Sequence, residues 1–345
     1  MDALDQKIID QIDSISSILS QHADRDLYGP AAFWESLGEK HKKLIREHGF
    51  RNFKRTINFE YHQWGLRSLR DPKIKSLLLE LIKRFRIPHG AVHAKIDAAS
   101  VAGLEQIAPA AYAAFMGLLW QYAVLKDELG CLKVCSEPLL GQPIPVTYKG
   151  KLISQDLATS SLELNRIAEH VDFANIKKVA EIGAGYGRLA YVVMLRFPWL
   201  QYYIFDIPPA LVISQNYLQL TLGENSVEEF NGGAPTVEEN SETCKVRECL
   251  PHQLELFDDD CFDLVINISS FDEMPAPQVQ NYFSLIDRKC RGWFYIKGHE
   301  KAPDWCEVSG GGLTELPYPD TWNLVYQGKD PFSPTFIERI YSLRN

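Results

Sequence analysis

Residues 179–198 read VAEIGAGYGRLAYVVMLRFP, with glycines at 183, 185 and 187 between an apolar run and a stretch of helical spacing. Glycines at alternate positions let a backbone turn tightly and approach a ligand with no side chain in between. The dinucleotide fingerprint G-x-G-x-x-G fails here, because Arg188 stands where its third glycine belongs. A Walker loop fails too, since no Gly-Lys-Ser/Thr follows. Glu181 sits at the mouth of the turn, which suits a flat, uncharged or cationic ligand better than a pyrophosphate. Asp206 ends the next apolar segment, QYYIFDIP, where a carboxylate can accept both hydroxyls of a ribose. The acid pair fits an adenosine that carries a positive sulfonium.

The elements that must hold these residues alternate from ATSSLELNRIAEHVDF onward. KKVAEIGAG, QYYIFDIP, TCKVREC, FDLVINIS and GWFYIKGH read as strands, separated by the helical GRLAYVVMLRF, PALVISQNYLQLTLG and APQVQNYFSLIDRKC. TWNLVYQGK and TFIERIYSLR, split by DPFSP, read as a closing antiparallel pair. Such alternation predicts an α/β fold with a mostly parallel sheet covered on both faces. Ligands of these sheets sit at the carboxyl ends of the strands, here just after residues 183, 206, 248, 268 and 298. Upstream, Leu4, Ile8, Ile12, Ile15 and Leu19 mark an amphipathic helix. Its stripe is expected to pack on its own domain, with pairing between two subunits in a homo-oligomer as the alternative. Helical patterns recur around 31–48, 72–85 and 108–129 before Pro138, Pro143 and Pro145 break the chain. The organisation expected is a mainly helical N-terminal lobe over 1–150, for substrate or subunit contacts, and an α/β domain over 151–345.

The bulk composition bounds the function classes. The 345 residues are 46% hydrophobic and 23% charged, ordinary for a globular chain with room for a sizeable core. A formal net charge of -9, from 36 basic and 45 acidic residues, repels a polyanion and argues against a bulk nucleic-acid binder. Seven cysteines form no C-x-x-C pair, so they are expected to be reduced thiols in a cytoplasmic protein. The polar start MDALDQKIIDQID is no secretory signal, and APAAYAAFMGLLWQYAVLKDELG is too short an apolar run to span a bilayer.

The glycine turn and Asp206 resemble the class I S-adenosylmethionine-dependent methyltransferases. VAEIGAGYG is similar to their glycine motif, Asp206 to their ribose-binding acid, and the closing hairpin to the feature that separates them from dinucleotide folds. The resemblance covers roughly residues 160–345 and implies a Rossmann-like methyltransferase sheet with S-adenosylmethionine as cofactor. Carried over position by position, it implies that Glu181, Gly183, Ala184 and Gly185 wall the methionine and ribose. Asp206 would hold the ribose and Ile207 would lie beside the adenine. Glu248, Cys249 and Leu250 match the segment that meets the adenine, and Asn267 and Ser269 would face the methionine part and the substrate. Gly187 and Arg188 have two readings, helix capping with surface solvation or ligand contact.

The segment after the fourth strand bears on the acceptor. Amine methyltransferases carry Asn/Asp-Pro-Pro-Tyr/Phe there, whereas this chain has NISSFDEMP. That stretch, with KLISQDLATSSLEL and FKRTINFEYHQWG, resembles a bacterial family of sugar O-methyltransferases, which implies transfer to a hydroxyl of a sugar or sugar-bearing small molecule, a nucleotide sugar or natural-product glycoside among them. An alcohol must lose its proton during transfer, so a base within hydrogen-bond reach is needed. Glu273 and His299 are the candidates, with Asp272 positioning the sugar. A divalent metal on Asp206, Asp272 and Glu273 is an option that no spacing demands. The basic run around Arg51, Lys54 and Arg55 is either a solvated helix face or a phosphate contact, with Tyr61, His62 and Trp64 as stacking platforms for sugar or base. Gly310, Gly311 and Gly312 would hinge a lid or form a plain connection. The competing readings are an RNA ribose methyltransferase and a cofactor-binding scaffold without catalysis; no nucleic-acid or membrane partner is expected.

Overall fold

A computed structural model describes residues 2–57, 94–96, 109–230, 245–301, 311–333 and 335–344. Its longer helices are α1 (Ala3–His22), α2 (Ala32–His48), α3 (Pro109–Lys126), α4 (Gln155–Ala168), α5 (Arg188–Arg196), α6 (Ala210–Leu222) and α7 (Ala276–Lys289). The strands are β1 (Lys95–Ile96), β2 (Val146–Tyr148), β3 (Lys151–Ile153), β4 (Lys178–Ile182), β5 (Gln201–Phe205), β6 (Val227–Glu228), β7 (Val246–Cys249), β8 (Phe262–Ile268), β9 (Cys290–His299), β10 (Asn323–Lys329) and β11 (Phe336–Ser342). No described helix is long and apolar enough to cross a membrane.

The main sheet has the order β10-β11-β9-β8-β4-β5-β7-β6. Strands β4 to β9 pair in parallel, and β11 runs antiparallel between β9 and β10. This is the expected Rossmann-like class I methyltransferase sheet with its closing antiparallel hairpin. The order reverses at β4, whose neighbours are β5 on one side and β8 on the other, so the glycine turn leaves the sheet where two crossovers diverge.

Both faces are covered because alternate residues of each strand point to opposite sides. Val179, Tyr202, Leu264 and Tyr295 join a core with α4, α5, α6 and the N-terminal helices, while Ala180, Tyr203, Val265 and Phe294 join a second core with α7. The apolar stripe of α1, including Ile8, Ile12 and Ile15, is buried within this chain and belongs to the first core. That core runs unbroken across residue 150, and the antiparallel β2–β3 hairpin straddles the same point, an element that the proline-rich sequence concealed.

The basic run of the sequence is divided by the fold. Lys54 is not part of a solvated face: its ammonium lies 2.5 Å from Glu137, with the two side chains 4% and 3% exposed, and packs over the rings of Tyr186 and Tyr217. Arg55 donates from Nε to the Gln142 carbonyl at 2.8 Å. Lys42 pairs with Asp13 and Glu39 at the surface. Removing one partner of a buried pair strands the other charge in a dry interior. Lys54→Met should therefore lower unfolding stability by about 3–5 kcal/mol, with Lys54→Met/Glu137→Gln recovering most of it, in urea titrations. Coincident midpoints for wild type and Lys54→Met would show that the pair contributes nothing.

Candidate active site

The carboxyl ends of β4, β5, β8 and β9 open into one cavity of about 910 Å³. Its floor is the glycine turn. The Gly183 N–H bonds the Phe205 carbonyl at 2.9 Å, tying the turn to the end of β5. Gly183 has a φ of +76°, and a Cβ there would lie 2.4 Å from the Ser270 hydroxyl, so only glycine lets β4 and the loop after β8 come this close. Gly185, with a φ of +63°, has open space where its Cβ would be. A side chain at this position would stand in the cavity instead of a ligand.

Asp206 closes the turn from the neighbouring strand. One carboxylate oxygen accepts the Gly185 N–H at 2.8 Å and the other accepts the Ile207 N–H at 2.7 Å. Each oxygen has a second lone pair, so the group can still receive two hydroxyls. Burial pushes the Asp206 carboxyl up to about 7, against the two N–H bonds that hold it down. Glu181, under the turn, accepts the Tyr202 hydroxyl at 2.8 Å and is likewise raised by burial to about 7. Ala184 and Ile207 line the same wall. Leu250 is fully buried, and its neighbour Pro251 lines the cavity in that region. Asn267 is buried between strands: its amide donates to the Ile182 carbonyl at 2.9 Å and to the Ser270 hydroxyl at 2.5 Å. It therefore shapes the wall from behind. Ser269, at the end of β8, has a φ of +53° and faces the cavity.

Arg188 belongs to neither of its two expected settings alone. Its guanidinium is drawn inward to Glu163, which is fully buried, through bonds of 2.6 and 3.1 Å, and Lys297 approaches the same carboxylate at 3.1 Å. Burial works to raise the Glu163 carboxyl, and the two cations overcome it and hold it below the usual range. All three side chains line the cavity.

The residues expected to meet an acceptor line the same cavity. His299 and Glu273 face the cavity, together with Trp34, Phe33, Tyr282, Met274 and Phe336. Burial lowers the His299 imidazole, and the nearby Asp272 charge opposes this. Asp272 itself is buried behind the wall, where its Oδ2 accepts the backbone N–H of His299 at 2.9 Å. Burial, and next the Asp272 charge, push the Glu273 carboxyl well above the usual range, although Trp34 hydrogen-bonds it. Burial thus biases Glu273 toward its protonated form, in which it can donate a hydrogen bond. Arg55 is held elsewhere by Gln142, and Tyr61, His62 and Trp64 lie outside the described residues. Gly310 does too, while Gly311 and Gly312 are described between β9 and β10. Among the described residues no group of three or more His, Cys, Asp or Glu side chains is placed to hold a metal ion.

Sequence reasoning missed the wall that the N-terminal segment supplies. Tyr28, Gly29, Pro30 and Ala31, with Phe33, Trp34 and Leu37 of α2, cover the carboxyl edge of the sheet. The Gln278 side chain of α7 donates to the Gly29 carbonyl at 2.9 Å and anchors this segment. Its only sequence signal was the aromatic density of DLYGPAAFWESL.

Residues 149–236, about a quarter of the chain, match the model of an O-methyltransferase domain. The matched stretch carries α4, the glycine turn and Asp206. It supports S-adenosylmethionine-dependent methyl transfer in general. No curated protein matches the sequence significantly. Among solved structures, the PH0226 protein of Pyrococcus horikoshii OT3 is 16% identical with a TM-score of 0.39, over 55% of this chain and 92% of its own. A SAM dependent methyltransferase of Aquifex aeolicus is 12% identical with a TM-score of 0.31, over 48% of this chain and 82% of its own. Residues 961–1257 of the StiE O-MT are 14% identical with a TM-score of 0.38, over 55% of this chain and 76% of that one.

The turn fits S-adenosylmethionine on its own chemistry: open space at Gly185, hydroxyl acceptors on Asp206, and two buried acids to face a sulfonium. Gly185→Ala should cost only the ~1–2 kcal/mol of a left-handed alanine in stability, while S-adenosylhomocysteine affinity falls by about tenfold or more from a methyl group's overlap with the ligand. Binding of a cation favours the ionised forms of Glu181 and Asp206, so binding releases protons and S-adenosylmethionine affinity should rise with pH to about 7 and level off above. Without ligand the sign is opposite: the folded state holds these protons more tightly than the unfolded chain, so stability falls as pH rises from the ordinary carboxylate range to about 7. Calorimetric titrations across this range check both, and a pH-independent affinity would contradict the charge argument.

Proposed function

We propose that this protein is an S-adenosylmethionine-dependent O-methyltransferase that methylates a hydroxyl of a sugar or sugar-bearing small molecule. The observation that carries the reading is one shared cavity in which the glycine turn and Asp206 face His299 and Glu273. Bound S-adenosylmethionine would supply an activated methyl group. Asp206 and the Gly185 backbone would hold its ribose end, and Glu181 would place negative charge near the sulfonium. A volume of about 910 Å³ is at the upper end of small-molecule sites, in keeping with cofactor and acceptor together.

His299 is the group suited to take the acceptor proton. Burial disfavours its charged form, so the imidazole is biased toward the neutral form that accepts a proton, and the Asp272 charge behind it stabilises the imidazolium that forms. Glu273, biased by burial toward its protonated form, is suited to orient an acceptor oxygen by donating to it or accepting from it. The broad faces of Trp34, Phe33 and Phe336 suit the C–H face of a pyranose, with polar groups at the edge for its hydroxyls. The resemblance of NISSFDEMP and KLISQDLATSSLEL to sugar O-methyltransferases supports the same class.

The test is methyl transfer from tritiated S-adenosylmethionine to free sugars, nucleotide sugars, glycosides, phenols and RNA. Turnover on saccharides is expected, and His299→Ala should lower kcat by about 10²–10⁴-fold with S-adenosylhomocysteine affinity unchanged. Labelled RNA with inert saccharides would replace the acceptor class, and normal turnover by His299→Ala would remove it as the base.

A further inference from the structure

The charges on the cavity wall do not balance. Arg188 and Lys297 are the described lysine and arginine side chains that line it, and both are bonded to Glu163. Glu181, Asp206 and Glu273 face the same space and make no ion pair among the described residues. Glu181 and Asp206 lie with the glycine turn, where the sulfonium of the proposed cofactor would meet them. Glu273 is left over, on the wall with His299.

Glu273 stands among negative charges and aromatic rings. The charges that act on it, from Asp272 and Asp206, are both negative, and the Trp34 indole N–H donates to it. Its Oε2 is enclosed in the wall without a partner among the described residues, so the carboxyl meets a ligand through its other oxygen. The rings that line the same cavity come in crossed pairs: Phe33 and Trp34 meet at 5.7 Å and 82°, and Tyr28 and Tyr282 at 6.3 Å and 88°. Crossed rings offer their negative faces in different directions, which suits a compact cation as well as the C–H face of a sugar. A carboxyl group with no cation of its own, next to such rings, is the complement of an ammonium group.

We propose that the acceptor enters as a cation, an amino sugar whose ammonium group is held by Glu273 among the rings of Trp34, Phe33, Tyr28 and Tyr282 while its hydroxyl faces His299. The inference rests on the sugar reading of the acceptor and narrows it. The ammonium supplies the partner that the carboxyl lacks, so each offsets the other's cost of leaving water. A phosphorylated acceptor would instead bring more negative charge into a space whose described lysine and arginine side chains are already engaged, so a nucleotide sugar is the poorer fit. Glu273 is a specificity-determining residue here.

The test titrates matched probes into the whole protein, with and without S-adenosylhomocysteine: glucosamine against glucose, galactosamine against galactose, cyclohexylamine against cyclohexanol, and glucose 6-phosphate as the anion. The ammonium member of the cyclohexyl pair and of at least one sugar pair should bind about tenfold tighter or more, the equivalent of one hydrogen bond to a charged group, and glucose 6-phosphate should bind more weakly than glucose. Glu273→Gln keeps the size of the side chain and an acceptor for Trp34, so the melting temperature and S-adenosylhomocysteine affinity should hold. The same variant should weaken the ammonium members by about tenfold and their uncharged partners far less. Equal affinities within every pair, tighter binding of glucose 6-phosphate, or an equal effect of Glu273→Gln on both members would overturn the inference. Methyl transfer to uncharged sugars alone would overturn it while the sugar reading stood. A preference for cyclohexylamine that Glu273→Gln removes, with no saccharide bound or methylated, would uphold the cation site and replace the sugar by another amine-bearing acceptor.

Discussion

One buried carboxylate fixes three walls of the cavity at once. Glu163 of α4 receives Arg188 from the start of α5 and Lys297 from β9, and Lys297 in turn lies 2.5 Å from Asp330 and 3.6 Å from Glu338 on the closing hairpin side. Five charged groups brought out of water cost several kcal/mol each unless they satisfy one another, so the network admits few arrangements. Its members come from the helix before the glycine turn, the helix after it, strand β9 and the hairpin that ends the sheet. The turn can therefore hold its open, left-handed conformation between elements that have no freedom to drift. Preorganisation of this kind lets a ligand bind without first ordering the protein.

The same dryness that makes the network rigid governs the acids around it. Glu181, Asp206, Glu248 and Glu273 all have their carboxyls raised by burial, each before any neighbouring charge is considered. Glu163 is as deeply buried and yet is lowered, because it alone in this group has two cations against it. The cavity thus separates its carboxyl groups by role. Glu163, held ionised by two cations, supports the frame, and Glu181, Asp206 and Glu273, raised by burial, face the cavity.

Much of this frame was legible in the sequence, for a physical reason. Strand and helix alternation after residue 150 is written in local apolar periodicity, and the glycine turn and Asp206 lie at strand ends that this periodicity locates. The closing hairpin was legible from two β-rich runs flanking DPFSP. Pairings between distant side chains leave no such trace. Nothing local marks Glu163 as the partner of Arg188, or Glu137 as the partner of Lys54, and a run of lysines and arginines reads as solvated surface until the fold buries one of them. The N-terminal wall was hidden for the same reason, since α2 reads as an ordinary amphipathic helix and its contacts with the carboxyl edge of the sheet are wholly tertiary.

Direction is the property that sequence reasoning loses most readily at a site. Asp272 and Glu273 are adjacent and chemically alike, yet one turns behind the wall to the His299 backbone and the other turns into the cavity toward Trp34. The short 3₁₀ turn Phe271–Glu273 separates them, because successive residues of a helical turn point about 120° apart. The consequence is a division between neighbours: Asp272 accepts the His299 backbone N–H from behind the wall, and Glu273 faces the cavity. Asn267 and Ser269 divide in the same way at the end of β8, where the left-handed Ser269 turns the chain and Asn267 stays within the sheet to stitch it to β4. In both cases the residue that faces the cavity depends on a neighbour that is buried behind it.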